Sequence, residues 1–277
     1  MIIWLASYPK SGNTYLRSFL STYLFSKDGR YNFDLLKNIR QYPKSSLFFN
    51  LGINIKDKHE VAKSHLKVQG ILNKEKGIRF LKTHSGLVKM DGYSFTDMNN
   101  SLGVIYIVRD PRDVVISYAH HIDKPVSETL KLIEDNFMLD PEENSVPVYT
   151  GSWSFHYNSW KPFKASNKYL LIKYEDLIND KEKIFRNILI FIKNLSNGSF
   201  EISDSKIKKV IQEIEFEKLK KLEEKKGFPE AKENKDGKKI SFFRKGSIGQ
   251  WKNNLDLKII NSIEKSCGKE MRELGYL

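Results

Sequence analysis

The sequence predicts an α/β fold of three layers, a central parallel β-sheet flanked by helices. Two observations carry this reading. Four runs are apolar without alternation: Ile2 to Ala6, Arg79 to Thr83, Gly103 to Val108, and Tyr169 to Lys173. Strands of that kind are buried on both faces, as in a parallel sheet covered by helices. The first, third and fourth runs each pass through a short turn into a helical apolar period, and strand, turn, helix in repetition is the mark of an α/β chain.

Taken in order, Ile2 to Ala6 ends in Ser-Tyr-Pro-Lys-Ser-Gly, a sharp turn, and a helix is expected from near Thr14. Residues 27 to 78 are polar and irregular and are expected to form short helices beside the sheet. Arg109-Asp110-Pro111 places proline in the first turn of a helix whose apolar face is Val114, Val115 and Tyr118. After Tyr174, the positions Ile184, Ile188, Phe191 and Ile192 keep a helical period. Ile207, Val210, Ile211, Ile214, Leu219 and Leu222 fit one or two further amphipathic helices. Glu223 to Lys239 is dominated by Lys, Glu, Gly and Asn and reads as a polar surface loop.

A chain of 277 residues is near the upper limit for one hydrophobic core, so we expect a single domain over 1–277 with one mobile lid segment at 223–245. Apolar residues make up 40% and aromatics 12%, enough to pack an interior. Lys and Arg number 47 against 34 Asp and Glu, a formal charge of +13 that favours an anionic partner without choosing among nucleic acid, acidic membrane and phosphorylated small molecule. The single cysteine, Cys267, cannot form an internal disulfide. The opening apolar run is too short for a signal peptide, and no stretch reaches the ~20 residues that span a bilayer, so a cytoplasmic protein is expected.

Four constellations carry chemistry. Tyr8-Pro9-Lys10-Ser11-Gly12-Asn13-Thr14 lies between a buried strand and a helix, where Gly12 permits a tight turn, helix N–H groups are unpaired, and Lys10 adds a charge: a phosphate cradle. It is not the Gly-Lys-Ser/Thr loop of nucleotide kinases, because the lysine precedes the glycine. A similar Tyr42-Pro43-Lys44-Ser45-Ser46 has neither glycine nor an apparent strand before it and reads as loop. Lys82-Thr83-His84 closes the second strand, at the sheet end where ligands bind in open α/β folds. Arg109 opens the next helix, with Ser117 two turns on. Both suit a phosphate monoester, although the Asp110, Arg112 and Asp113 cluster is equally what a capped helix carries. Last, Phe243-Arg244-Lys245-Gly246-Ser247-Ile248-Gly249-Gln250-Trp251-Lys252 sets two cations beside two glycines.

In this order, the four elements resemble the sulfotransferase family that uses 3′-phosphoadenosine 5′-phosphosulfate (PAPS), and the resemblance covers nearly the whole chain. It implies a P-loop-like fold and a 5′-phosphosulfate loop of Lys10, Ser11, Gly12, Asn13 and Thr14. It further implies a 3′-phosphate site of Arg109 and Ser117 with Arg244, Lys245 and Gly246, and Tyr15 and Tyr174 near the adenine. By the same resemblance His84 is the catalytic base, with Lys10 and Lys82 stabilising the transferred group. Tyr15 stands where many members have tryptophan, Asn13 replaces a common threonine, and Gln250 replaces a common aspartate. The implied reaction needs no metal and moves a sulfuryl group to a hydroxyl or amine of a small-molecule, glycan or lipid acceptor, with no nucleic acid as partner.

Three alternatives compete: a nucleotide kinase, a nucleic-acid-binding protein, and a silent PAPS-binding module. The kinase lacks its loop, the nucleic-acid reader lacks a motif, and the silent module has no need of His84. Phe48, Phe49, Tyr118, His121 and Phe155 are candidates for an acceptor pocket, each equally suited to a core. Oligomeric state is left open by the sequence.

Overall fold

A computed structural model describes residues 1–136, 138–139, 145–198, 200–234 and 237–277. The chain runs β1 (Ile2–Ser7), α1 (Asn13–Phe25), β2 (Arg40–Gln41), α2 (Ser45–Phe49), α3 (Lys58–Lys74) and β3 (Arg79–Thr83). A small antiparallel pair follows, β4 (Lys89–Met90) with β5 (Tyr93–Ser94), then β6 (Ser101–Val108), α4 (Pro111–Ile122) and α5 (Val126–Glu134). A second antiparallel pair, β7 (Met138–Leu139) with β8 (Val148–Tyr149), leads to α6 (Trp153–Ser159), β9 (Tyr169–Lys173), α7 (Tyr174–Asn179) and α8 (Lys181–Ser196). The chain closes with α9 (Asp204–Glu213), α10 (Phe216–Lys226), α11 (Trp251–Asn254) and α12 (Leu257–Glu273).

The main sheet has the order β2-β3-β1-β6-β9, and all its pairings are parallel. After β1 the chain builds to one side of it and then, from β6, to the other. The strand order therefore reverses at β1, and in open α/β sheets the crevice beyond the carboxyl ends at such a point is the ligand site.

The apolar runs of β1 and β6 lack alternation because both faces are covered, whereas the edge strand β9 is half-buried except at Ile172. Ile3 and Leu5 of β1, with Ile105 and Ile107 of β6, face a core made by α1 and α8, whose buried positions Leu16, Phe19, Leu20, Tyr23 and Phe185, Ile188, Leu189, Ile192 repeat at helical spacing. The rings of Phe19 and Phe185 stack with centroids 3.6 Å apart at the centre of that layer. Trp4, Val104 and Tyr106 point the other way, to Val114, Val115, Trp153, Trp160 and the α12 side chains Ile263, Cys267 and Met271. Trp4 is wholly buried and its indole N–H donates to Ser101 Oγ at 2.8 Å, which satisfies its one polar atom.

Three local expectations are revised. Between residues 27 and 78 the chain forms not only short pieces but the 17-residue α3, capped by Asp57, which accepts from His59 N and Glu60 N. Its polar sequence disguised it, because only Val61, Ala62, Ser64, His65, Val68 and Gln69 are buried. The segment at Tyr42-Pro43-Lys44 does follow a strand, the two-residue edge strand β2, too short to leave an apolar signal. The supposed polar loop begins as helix through Lys226, and Phe228 within it is buried beside Phe33, Phe242 and Phe243. One aromatic anchor outweighs the surrounding charge, since burying such a side chain is worth about 1.5–3 kcal/mol.

Candidate active site

The loop after β1 turns by two left-handed residues, Lys10 at φ 65° and Gly12 at φ 101°. Gly12 is required twice over: by its φ, and because a Cβ there would lie 2.4 Å from Cδ2 of Tyr174. The turn delivers the unpaired N–H groups of the first turn of α1 to the crevice. Asn13 secures it from behind, its amide donating to Leu5 O at 2.9 Å and to Ser7 Oγ at 3.1 Å.

Each neighbouring strand adds its end to the same crevice. From β3 come Lys82 and His84; from β6 comes Arg109; from β9 comes Tyr174. Asp110 caps α4 by accepting from Arg112 N, with Pro111 behind it, so the sequence signal for a helix start is real and leaves Arg109 outside the helix. The Arg109 guanidinium lies 4.4 Å from the centroid of Tyr174 and donates to Ser247 O at 2.9 Å. The Tyr174 hydroxyl donates to Gly246 O at 2.9 Å. Asp113 accepts from Gly249 N at 2.7 Å and Trp251 N at 2.9 Å, which ties the late basic motif to α4. Arg244 donates to Gln250 Oε1 at 2.8 Å, so the glutamine that departs from the family pattern is part of the motif's own bonding.

A cavity of about 700 Å³ collects these groups. Lys10, Gly12, Asn13, Thr14, Tyr15, Lys82, His84, Arg109, Ser117, Tyr174, Arg244, Lys245 and Gly246 all line it; of the candidate site residues Ser11 alone does not. Ser117 thus shares the cavity with Arg109 across two turns of α4. Four buried groups here, Ser11 Oγ, Asn13 Oδ1, Tyr15 OH and Arg109 Nε, have no hydrogen-bond partner. Among the acceptor-pocket candidates, Tyr118 and His121 line the cavity. Phe48 is core, Phe49 is exposed on α2, and the Phe155 ring covers Gly151.

Burial sets the charge states. Desolvation, with Lys82 and Arg109 nearby, brings the Lys10 ammonium down to about 7. Lys82 is likewise lowered by burial, against the pull of Glu230. The ring of His84 is held well below its ordinary pKa by burial and by the charge of Lys82, so the imidazole is neutral at pH 7. Its Nδ1 lies 2.8 Å from Ser7 O. A carbonyl can only accept, so Nδ1 carries the hydrogen and Nε2 keeps its lone pair.

Two residues at this site carry no signal in the sequence. Glu230 is the one carboxylate lining the cavity among the described residues. It joins Lys82 Nζ at 3.1 Å to Arg17 at 2.5 Å, and Arg17 NH2 donates in turn to Ile39 O at 3.0 Å. Burial by itself would raise the Glu230 carboxyl, yet Lys82 and Arg17 hold it at about 2. Arg17 sits one turn into an apolar helix and Glu230 inside a Lys/Glu-rich segment; 213 residues separate them.

A family model described as sulfotransferase domain matches residues 2–275. Sulfotransferase 1E1 of Mus musculus is 26% identical over 274 residues, covering 97% of this chain and 83% of that protein. Sulfotransferase 1B1 of Canis lupus familiaris is 28% identical over 261 residues, with 91% and 77% covered. Among solved structures, mouse sulfotransferase SULT7A1 complexed with PAP matches at a TM-score of 0.62 and 20% identity, covering 98% of this chain and 84% of that one. Retinol dehydratase with retinol and PAP matches at 0.63 and 19%, covering 98% and 81%. These two share the fold. With a family model spanning all but the first residue and the last two, the chain belongs to the sulfotransferase domain family.

Proposed function

We propose that the chain transfers a sulfuryl group from PAPS to a hydroxyl or amine, with His84 as general base. The observation that carries this is the convergence of all four motifs on one cavity at the reversal of strand order. The cavity suits the donor on its own chemistry. Arg109 Nε–H is a buried donor without an acceptor at the cavity wall, and phosphate oxygens are acceptors. At Gly12 the loop packs against the Tyr174 ring with no room for a Cβ, which fixes that ring at the cavity wall.

PAPS, when bound, supplies an electrophilic sulfur and a 5′-phosphate leaving group. Lys10, Ser11, Gly12, Asn13 and Thr14 hold the 5′ end; Arg109, Ser117, Arg244, Lys245 and Gly246 hold the 3′-phosphate; Tyr15 and Tyr174 flank the adenine. The acceptor oxygen gives its proton to His84 Nε2 and bonds to sulfur as the bond from sulfur to the bridging oxygen breaks, the electron pair leaving on the 5′-phosphate. Lys10 and Lys82 neutralise the charge that develops. Because Lys10 is half-charged near pH 7 when free, an arriving anion restores its proton.

Calorimetry with the product nucleotide 3′,5′-diphosphoadenosine tests the donor assignment. We expect binding that survives a chelator and weakens as pH rises above about 7, because more of Lys10 must then be protonated on binding. Tighter binding of ATP, or loss of binding in chelator, would overturn it. The same nucleotide tests the reading of 223–245 as a lid. Phe228, Phe242 and Phe243 anchor that segment and Glu223 accepts from Phe242 N and Phe243 N, while Lys245 is exposed. A 3′-phosphate adds a partner for Arg244 and Lys245, so nucleotide should slow tryptic cleavage between Lys225 and Arg244; equal cleavage with and without it would remove the lid.

A further inference from the structure

A second cavity, of about 1110 Å³, lies against the first and shares Gln41, Glu230 and Lys232 with it. It sits at the edge of the sheet. Gln41 of β2 is in register with Lys82 of β3, so the cavity begins one strand spacing, ~4.8 Å, to the side of Lys82. Part of its wall is apolar: Leu36, Val146 and Phe228.

Among the described residues its charge is one-sided. Arg17, Lys37, Arg40, Lys44 and Lys232 line it, against Asp34 and Glu230. Both carboxylates are already matched by cations of the same wall, Asp34 with Lys37 at 2.5 Å and Glu230 with Arg17 at 2.5 Å. Arg17 is 4% exposed, and its Nε, buried, has no hydrogen-bond partner. A buried guanidinium with an unmet donor, beside exposed Arg40 and Lys44, is built to receive an anionic oxygen.

We propose that this second cavity seats the acceptor, and that the acceptor carries an anionic group, a carboxylate, phosphate or sulfate, on the same molecule as its reacting hydroxyl or amine. The inference rests on the sulfuryl-transfer reading. The anionic end lies toward Arg40, Lys44 and Arg17, the carbon skeleton runs along Leu36, Val146 and Phe228, and the uncharged nucleophilic end passes Glu230 toward His84. Glu230, held between Lys82 and Arg17, marks where the two cavities meet.

Labelled PAPS and matched acceptor pairs test this: 4-hydroxyphenylacetate against its amide, and glucosamine 6-phosphate and glucosamine 6-sulfate against glucosamine. The anionic member of at least one pair should exceed its neutral partner roughly tenfold in kcat/KM, the effect of one charge-assisted hydrogen bond of about 1.5 kcal/mol. The carboxylate, phosphate and sulfate arms separate the three chemistries. The double substitution R40Q/K44Q, at exposed positions, should bring that pair to near parity and leave the affinity for 3′,5′-diphosphoadenosine unchanged. Neutral partners equal or better in every pair, no turnover of any anionic member, or a preference that survives R40Q/K44Q would overturn the proposal. Nucleotide binding is the control for the donor assignment: retained, it confines the failure to the acceptor; lost in the parent protein, it removes the reading beneath.

Discussion

Replacing His84 by alanine is expected to lower turnover about 10²–10⁴-fold while leaving affinity for 3′,5′-diphosphoadenosine within a few-fold. The geometry explains why the loss falls on chemistry. Ser7 O fixes the tautomer through Nδ1, so Nε2 is the bare nitrogen facing the cavity, and burial beside Lys82 keeps it unprotonated at neutral pH. The main chain at 84 keeps its place in the variant, because His156 Nε2 donates to the backbone carbonyl of residue 84 at 3.2 Å and Tyr106 completes that buried chain. Stopped-time assays with saturating PAPS, paired with calorimetry, separate the two quantities. Turnover equal to the parent would remove His84 from the reaction, and a parallel collapse of nucleotide affinity would mark it as structural.

Arg109→Ala is expected to weaken PAPS roughly 10- to 100-fold and adenosine 5′-phosphosulfate, which lacks the 3′-phosphate, only a few-fold. Arg109 faces the cavity with Nε unmet, fixed by Ser247 O, by the ring of Tyr174 and by Asp113 at 3.6 Å. Because those contacts also order the chain around Ser247, the variant's melting temperature and Arg109→Lys belong in the experiment. Lysine keeps the charge and loses the fork, and should recover part of the discrimination. Equal weakening of both nucleotides would assign Arg109 to the fold and not to the 3′-phosphate.

The layers were legible because both faces of β1 and β6 are buried and so read as unbroken apolar runs, and the helices α1 and α8 advertise their inner faces at helical spacing. The cavity was legible for a related reason. Strand ends in a parallel sheet are brought together by pairing, so Lys10 and Arg109, each following its own apolar run, and Lys82, near the end of another, had to meet. The parts that escaped depend on contacts no local pattern encodes. Glu230 reaches Lys82 across 148 residues, from a segment whose composition says surface. Phe228 is the one aromatic residue between Glu223 and Lys239, and β2 is only two residues long. The second cavity is assembled from Arg17 of α1 and from residues 33–37, 40–45, 145–148 and 228–232, five stretches with no shared period.

Transfer of label from radiolabelled PAPS, in chelator, to a panel of phenols, alcohols, amino sugars and their anionic counterparts tests the central claim most directly. A sulfated product is expected, its formation abolished or nearly so by His84→Ala and indifferent to chelator. Label that stays in PAPS with every acceptor class while 3′,5′-diphosphoadenosine binds would make the protein a nucleotide-binding module, and transfer of phosphate from ATP in its place would contradict the account outright.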